Sequence, residues 1–186
     1  DHLLFLFCLV VPFRSFWALV PIVTSFTIAH SITLIASALG LAPNALWFPP
    51  LIETLIAASI VYMAIENIVG TRWQRRWVIA FAFGLVHGFG FSFALGETLQ
   101  FAGAHLVSSL FAFNVGVEIG QILIVLLAVP LLNLALPNPR AERIGTIILS
   151  ALLAHSGWHW MSDRFGELMQ YDLRWPATDA ALMATA

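Results

Sequence analysis

The segment Phe83–Phe91 (FGLVHGFGF) places one histidine, His87, inside an apolar run over residues 77–95 that is long enough to cross a bilayer. An ionisable side chain is costly in hydrocarbon, so it normally faces the interior of a helix bundle, a partner or water. Gly84 and Gly88 form a G-x-x-x-G spacing, which lets a neighbouring helix approach closely. We therefore expect His87 to lie at a helix contact that polar groups from other helices can reach.

The composition is that of a polytopic membrane protein. The chain of 186 residues is 60% hydrophobic and 10% charged, with a mean hydropathy of +0.91, whereas soluble domains are about 45–50% apolar and about 25% charged. The net charge is -2 and no basic patch is present, which argues against a nucleic-acid partner. The single cysteine, Cys8, lies in an apolar run and is interpreted as a packed thiol.

Hydropathy predicts an all-α membrane bundle of about six transmembrane helices, the first one partial. The first ends near Val11, and the others cover about 16–40, 50–69, 77–96, 106–136 and 144–162. We assign residues 1–162 to the bundle and 163–186 to a short extracytoplasmic C-terminal extension. The first apolar run is only about half a span long, so we expect the start of that helix to precede Asp1.

The arginines predict the orientation of the bundle. Six of the eight occupy alternate loops, at Arg14, at 72–76 and at 140–143, while the loops at 41–49 and 97–105 contain none and the other two lie in the C-terminal extension. By the positive-inside rule the arginine loops are cytoplasmic, and the chain ends outside.

Ionisable residues recur inside the predicted spans. They are Asp1, His2, His30, Glu53, Glu66, His87, Glu118, His155 and His159. At about 1.5 Å rise per residue, four of them, namely His30, His87, Glu118 and His155, fall in the middle or outer half of the hydrocarbon core. Each one alone has a structural explanation, such as a histidine bonded to a backbone carbonyl, or Glu66 extending toward Arg72 or Arg75. Their number is what indicates a functional site.

Two helical spacings sharpen this hypothesis. Asn114, Glu118 and Gln121 share one helix face, and Gly116 with Gly120 predicts a second close approach between helices.

The second spacing is that of His155 and His159, which are four residues apart, a separation at which two imidazoles can bind one metal ion. Imidazole and carboxylate together suit Ni, Co, Zn, Cu or Fe better than Mg or Ca. His159 also has an interfacial interpretation, because it lies between Trp158 and Trp160.

Several stretches resemble the HupE/UreJ family of small membrane proteins, whose members are regarded as nickel or cobalt permeases. The stretches are 1–5 (DHLLF), 26–34 (FTIAHSITL), 60–67 (IVYMAIEN), 84–91 (GLVHGFGF) and 113–121 (FNVGVEIGQ). Of the longer first-helix motif of the nickel permeases only Asp1-His2 is present, and the second histidine of their H-G repeat is absent. The chain is therefore most similar to the second, less characterised branch of the family.

The resemblance implies a multi-pass protein of the bacterial inner membrane that moves a divalent transition-metal ion, nickel or cobalt, with Zn or Cu as further candidates. Carried over onto this sequence, Asp1, His2, His30, His87 and Glu118 would handle the metal. The ion would lose water to the first three residues and pass to His87 and Glu118 near the midplane. The implied partners are the lipid bilayer and the metal ion.

Two other classes of function stay open. An intramembrane zinc hydrolase could use His155 and His159 together with His30, His87 and Glu118. An accessory subunit of a larger membrane complex would use the histidines to bind a cofactor or only to bond to one another. Subunits of such a complex, or further copies of this chain, are the candidate protein partners. We favour a function that is not enzymatic, because no nucleophile or general acid has a signature of its own in this sequence.

Overall fold

The computed structural model describes residues 2–70, 75–99 and 106–171. In these residues the chain forms six helices and no strand. The helices are α1 (His2–Val10), α2 (Phe16–Ala38), α3 (Phe48–Val69), α4 (Arg76–Leu99), α5 (Leu106–Ala135) and α6 (Pro139–Leu168). Four stretches are long and apolar enough to cross a membrane, namely Phe16–Ala38, Phe48–Val69, Arg76–Phe93 and Ser108–Ala135. The predicted helical membrane bundle is confirmed.

The helix ends follow local turn chemistry. Two prolines lie in the first turn of α3, where their missing N–H groups are unpaired anyway. The helix ends before Gly70, whose φ of +133° disfavours other residues. At the start of α6, the side chain of Asn138 accepts a hydrogen bond from the Ala141 N–H at 2.9 Å. The fourth helix runs through Gly96 to its end at Leu99, three residues later than predicted.

Among the described residues, α2 and α4 share the most extensive contact between two helices, and two glycines allow it. A Cβ atom at Gly84 would lie 2.5 Å from the carbonyl oxygen of Phe26. A Cβ atom at Gly88 would collide with the carbonyl oxygen of His30 and with Oγ1 of Thr33. The close approach predicted from the G-x-x-x-G spacing is therefore present, and it places His87 against α2.

The second glycine pair behaves differently. A Cβ atom at Gly116 or Gly120 would have no atom of the described residues within 4 Å. The prediction that this pair also mediates a close approach is therefore wrong for the part of the chain that the structure describes. The polar face of α5 turns toward α2 instead, and these glycines lie on other faces of the same helix.

These two glycine pairs give a matched test of the packing. Gly88→Ala should lower the free energy of unfolding by about 1–3 kcal/mol, because the new methyl group forces two helix backbones apart. Gly116→Ala should leave stability unchanged or slightly higher, because alanine favours helix and meets open space. Thermal unfolding of both variants in the same detergent measures the difference. Equal losses of stability in the two variants would contradict the packing described here.

Helix α6 runs antiparallel along α3. At one end the Arg143 guanidinium donates to the carbonyl oxygen of Ile68 at 2.6 Å. In the middle Gly157 packs against α3, and at the other end Arg164 pairs with Glu53 at 3.2 Å. At about 1.5 Å per residue, 30 residues make a helix about 45 Å long. A helix of this length extends along the whole of α3, although α6 is less apolar than the other long helices.

The short helix α1 lies inside the bundle. Phe5, Cys8, Leu9 and Val10 are all almost completely buried. Large apolar side chains are exposed instead on the outer faces of α5 and α6, among them Phe111, Leu127, Leu134, Ile148 and Leu152. Such a surface suits lipid rather than water, which agrees with a bundle in contact with the bilayer.

Candidate functional site

Three histidines from three helices meet in the interior of the bundle. His2 begins α1, His30 lies in α2 and His87 lies in α4. The ring centroid of His2 is 5.1 Å from that of His30 and 5.1 Å from that of His87, with edge-to-face contacts in both cases. His30 and His87 are fully buried. We call His2, His30 and His87 the histidine cluster.

Aromatic rings enclose this cluster. The Phe5 ring packs on His87 with centroids 4.7 Å apart, and it stacks on Phe26 at 5.0 Å. The Phe91 ring contacts both His2 and His30, at 5.1 Å and 5.9 Å between centroids. These side chains fix the imidazole rings in an apolar shell, where a buried polar nitrogen without a partner is costly.

The two fully buried histidines differ in their hydrogen bonding. Nε2 of His87 lies 3.0 Å from Oγ of Ser59, which α3 contributes. Nδ1 of His87 and both ring nitrogens of His30 make no hydrogen bond to the residues that the structure describes. The Asn114 side chain interacts with the His30 ring, although the contact does not have the geometry of a hydrogen bond. A neutral imidazole carries a proton on one of its two nitrogens, so each of these two rings offers at most one nitrogen to a ligand.

The carboxylate of Glu118 lies apart from the cluster. It accepts a hydrogen bond from Oγ1 of Thr24 at 3.2 Å. Thr24 precedes His30 by six residues, which is about 9 Å along α2. On the same contact, Oγ1 of Thr27 donates to Oε1 of Gln121 at 3.0 Å. The predicted common face of Asn114, Glu118 and Gln121 is confirmed, and it is directed toward α2.

A groove of about 460 Å³ opens between α2 and α5 beside Glu118. Its walls are apolar, and its polar lining residues are Thr24, Thr27, Ser31, Asn114 and Glu118. This row of polar side chains extends along α2 from the level of Glu118 to the level of His30.

His155 and His159 lie elsewhere. Their rings contact each other edge to face at 4.5 Å between centroids, and both side chains are exposed. Gly157 between them faces α3, so residues two positions away project from roughly the opposite side of the helix. The structure thus pairs these two histidines but separates them from the cluster. Asp1 lies outside the described residues.

Among residues 2–70, 75–99 and 106–171, no group of three or more His, Cys, Asp or Glu side chains has the arrangement of a metal site. The cluster has the right ligand type and the right proximity, but its rings meet edge to face instead of directing three nitrogens at one point. In the described conformation the three imidazole rings therefore pack against one another and do not form a metal site.

A network of buried polar groups closes the bundle on the arginine side of the cluster. The Arg76 guanidinium is fully buried and donates to the carbonyl oxygen of Cys8 and to Oδ1 of Asn67, both at 2.8 Å. It also lies 3.6 Å from the Glu66 carboxylate. Nδ2 of Asn67 donates to the same Cys8 carbonyl at 2.9 Å. Of the two arginines toward which Glu66 is predicted to extend, Arg72 lies outside the described residues, and among the described ones it is Arg76 and not Arg75 that turns inward and pairs with Glu66.

Sequence reasoning missed Ser59, Asn67 and the inward direction of Arg76. Ser59 carries no signal, since serine is common in transmembrane helices. Arg76 follows another arginine at a predicted cytoplasmic end, where the sequence pattern indicates only the orientation of the bundle. A hint was available, because two polar residues, Glu66 and Asn67, end the preceding span and offer acceptors to a buried cation.

Helices around a buried histidine cluster define a polytopic, α-helical membrane protein with buried imidazole side chains at its centre. The family model described as HupE / UreJ protein matches residues 1–164. The chain therefore belongs to the HupE/UreJ family, as the sequence resemblance indicated, and this family is generally associated with nickel and cobalt transport. No curated protein matches the chain, and no solved structure matches it.

Proposed function

We propose that this protein is a permease-like transporter of a divalent transition-metal ion, nickel or cobalt, in the bacterial cytoplasmic membrane. The observation that carries the proposal is the convergence of His2, His30 and His87 from three helices in the interior of the bundle. Imidazole suits late first-row metal ions better than it suits Mg or Ca. Buried histidines in a membrane span commonly mark an ion pathway.

The packed state of the cluster fits a transient site better than a permanent one. A transported ion must bind well enough to enter and weakly enough to leave. Three neutral imidazoles supply ligands without fixed negative charge, and their rings would have to turn from the edge-to-face contacts to bind one ion. The Glu118 carboxylate, about 9 Å away along α2, would offset the charge of the ion at a later stage.

Release on the arginine side requires a conformational change. An ion leaving the cluster in that direction meets the buried ring of Phe5 and then the guanidinium of Arg76. The guanidinium repels a cation and is bonded to the carbonyl of Cys8 in α1. Movement of α1 relative to α4 would therefore accompany transport.

The test is ion flux into proteoliposomes that contain purified protein and an enclosed metal-sensitive dye. We expect uptake of Ni²⁺ or Co²⁺ above that of protein-free liposomes, with no uptake of Mg²⁺. His30→Ala should abolish the protein-dependent uptake, and His155→Ala should preserve it, because His155 lies outside the cluster.

Each alternative outcome has a meaning. Metal binding without flux would favour the interpretation as an accessory subunit. The absence of both metal binding and flux would contradict the proposal. A hydrolase is not favoured, because the described residues do not bring His155 and His159 to the other three members of the predicted zinc set.

A further inference from the structure

Ser59 makes two hydrogen bonds with one hydroxyl group. It lies in α3 and is almost fully buried. Its Oγ donates to the carbonyl oxygen of Ile56, one turn earlier, at 2.6 Å. The same Oγ lies 3.0 Å from Nε2 of His87 in α4.

Counting protons, together with the two distances, assigns a direction to the second bond. A serine hydroxyl has one hydrogen to donate and two lone pairs to accept. The carbonyl of Ile56 can only accept, and its 2.6 Å bond is the shorter of the two, so we assign the hydrogen to that bond. With this assignment Oγ accepts from His87, Nε2 of His87 carries the proton, and Nδ1 of the neutral imidazole keeps its lone pair.

The other ring nitrogen is the one left without a partner. Nδ1 of His87 makes no hydrogen bond to any described residue. The ring position is set by packing against Phe5 and Phe26, with centroid distances of 4.7 Å and 5.2 Å. Packing alone does not distinguish the two neutral tautomers, because they have the same shape. The hydrogen bond to Ser59 does.

We propose that Ser59 is a positioning residue that holds neutral His87 as the Nε2–H tautomer, so that Nδ1 is the atom that binds a divalent transition-metal ion. Metal-binding histidines usually donate their other N–H to an outer acceptor, which fixes the tautomer and raises ligand basicity. In proteins this acceptor is commonly a carboxylate or a carbonyl. Here a neutral hydroxyl, itself oriented by a helix carbonyl, fills that position without adding charge.

The metal-binding part of this inference rests on the proposed function, but the tautomer does not. Nitrogen-15 NMR of histidine-labelled, metal-free protein in nanodiscs reports the protonated nitrogen of each ring, with His87 assigned from the spectrum of His87→Ala. We expect the Nε2–H form in the wild type. The Nδ1–H form in the wild type would overturn the proposal, whatever any metal experiment shows.

The variants then test the role of the hydroxyl. Ser59→Ala should populate both tautomers of His87 and weaken Ni²⁺ binding about 10–100-fold, measured by titration calorimetry. Ser59→Thr should restore both properties, since it keeps a hydroxyl at the same place.

Thr54→Val is the matched control, because Thr54 is buried in the same helix and bonds to the carbonyl of Pro50 at 2.7 Å. It should leave the tautomer and the affinity unchanged. An unchanged tautomer and an unchanged affinity in Ser59→Ala would refute the role of Ser59. Absence of Ni²⁺ binding in the wild type, with the expected tautomer, would remove the proposed function and leave the hydrogen-bond assignment standing. If Ser59→Ala fails to fold, the wild-type spectrum still decides the assignment.

Discussion

Replacing His87 with alanine should eliminate stoichiometric binding of nickel or cobalt to the detergent-purified protein. His87 lies at the contact of four helices, and its Nδ1 has no hydrogen-bond partner among the described residues. Removing it leaves only His2 and His30 in the cluster, so the proposed site loses one of its three imidazoles. Elemental mass spectrometry after incubation with one metal at a time measures the metal content per protein. We expect about one ion per protein in the wild type, by the ligand counts usual for such sites. His30→Ala should lose the ion as His87→Ala does.

His155→Ala is the matched control for this experiment. It also removes an imidazole from a long helix of the bundle, but from an exposed pair outside the cluster. Its metal content should equal that of the wild type. Loss of metal in His155→Ala with retention in His87→Ala would show that the ion binds on the outer face of α6 and not in the cluster.

Replacing Arg76 with alanine should destabilise the bundle by about 3–5 kcal/mol, because it breaks a buried ion pair and leaves its partners without a donor. The guanidinium connects α1, α3 and α4 through Cys8, Asn67 and Glu66. It also lies over the Phe13 ring, 5.1 Å from its centroid. The midpoint of thermal unfolding in detergent should fall accordingly.

Arg75→Ala controls for the loss of one arginine at the same membrane level. Arg75 precedes the buried arginine by one residue and is exposed, so its replacement should change stability by no more than about 0.5 kcal/mol. Glu66→Gln should lie between the two, because it removes the charge but keeps an acceptor. Equal stability of the two arginine variants would contradict the buried network.

The elements of the fold follow closely from the sequence. The helix bounds predicted from hydropathy and turn residues differ from the observed ones by a few residues, with the largest differences at the two ends of α6. The physical reason is that crossing a bilayer requires about 20 apolar residues per span, and such long apolar segments are easy to recognise in a sequence. The first G-x-x-x-G spacing also predicted the contact between α2 and α4, since the absence of a side chain allows two helix backbones to approach closely.

The same spacing at Gly116 and Gly120 predicted a contact that this chain does not make. A glycine pair permits close approach but does not require it, and in α5 it is the face with Glu118 and Gln121 that bonds to α2. Which helices use their small residues is therefore a property of the whole packing arrangement.

The sequence by itself determined that this is a helical membrane protein of the HupE/UreJ family. It also showed several ionisable groups in the predicted spans, each of which would be costly if it faced lipid alone. Only the tertiary structure decided which of them meet. It brought His2, His30 and His87 together, left His155 and His159 on an outer face, and moved Glu118 to the contact with α2. Depth in a membrane can be counted along one helix, because the rise per residue is constant. The rotation of each helix about its axis depends on contacts with all the others, and that rotation selects which side chains share a site.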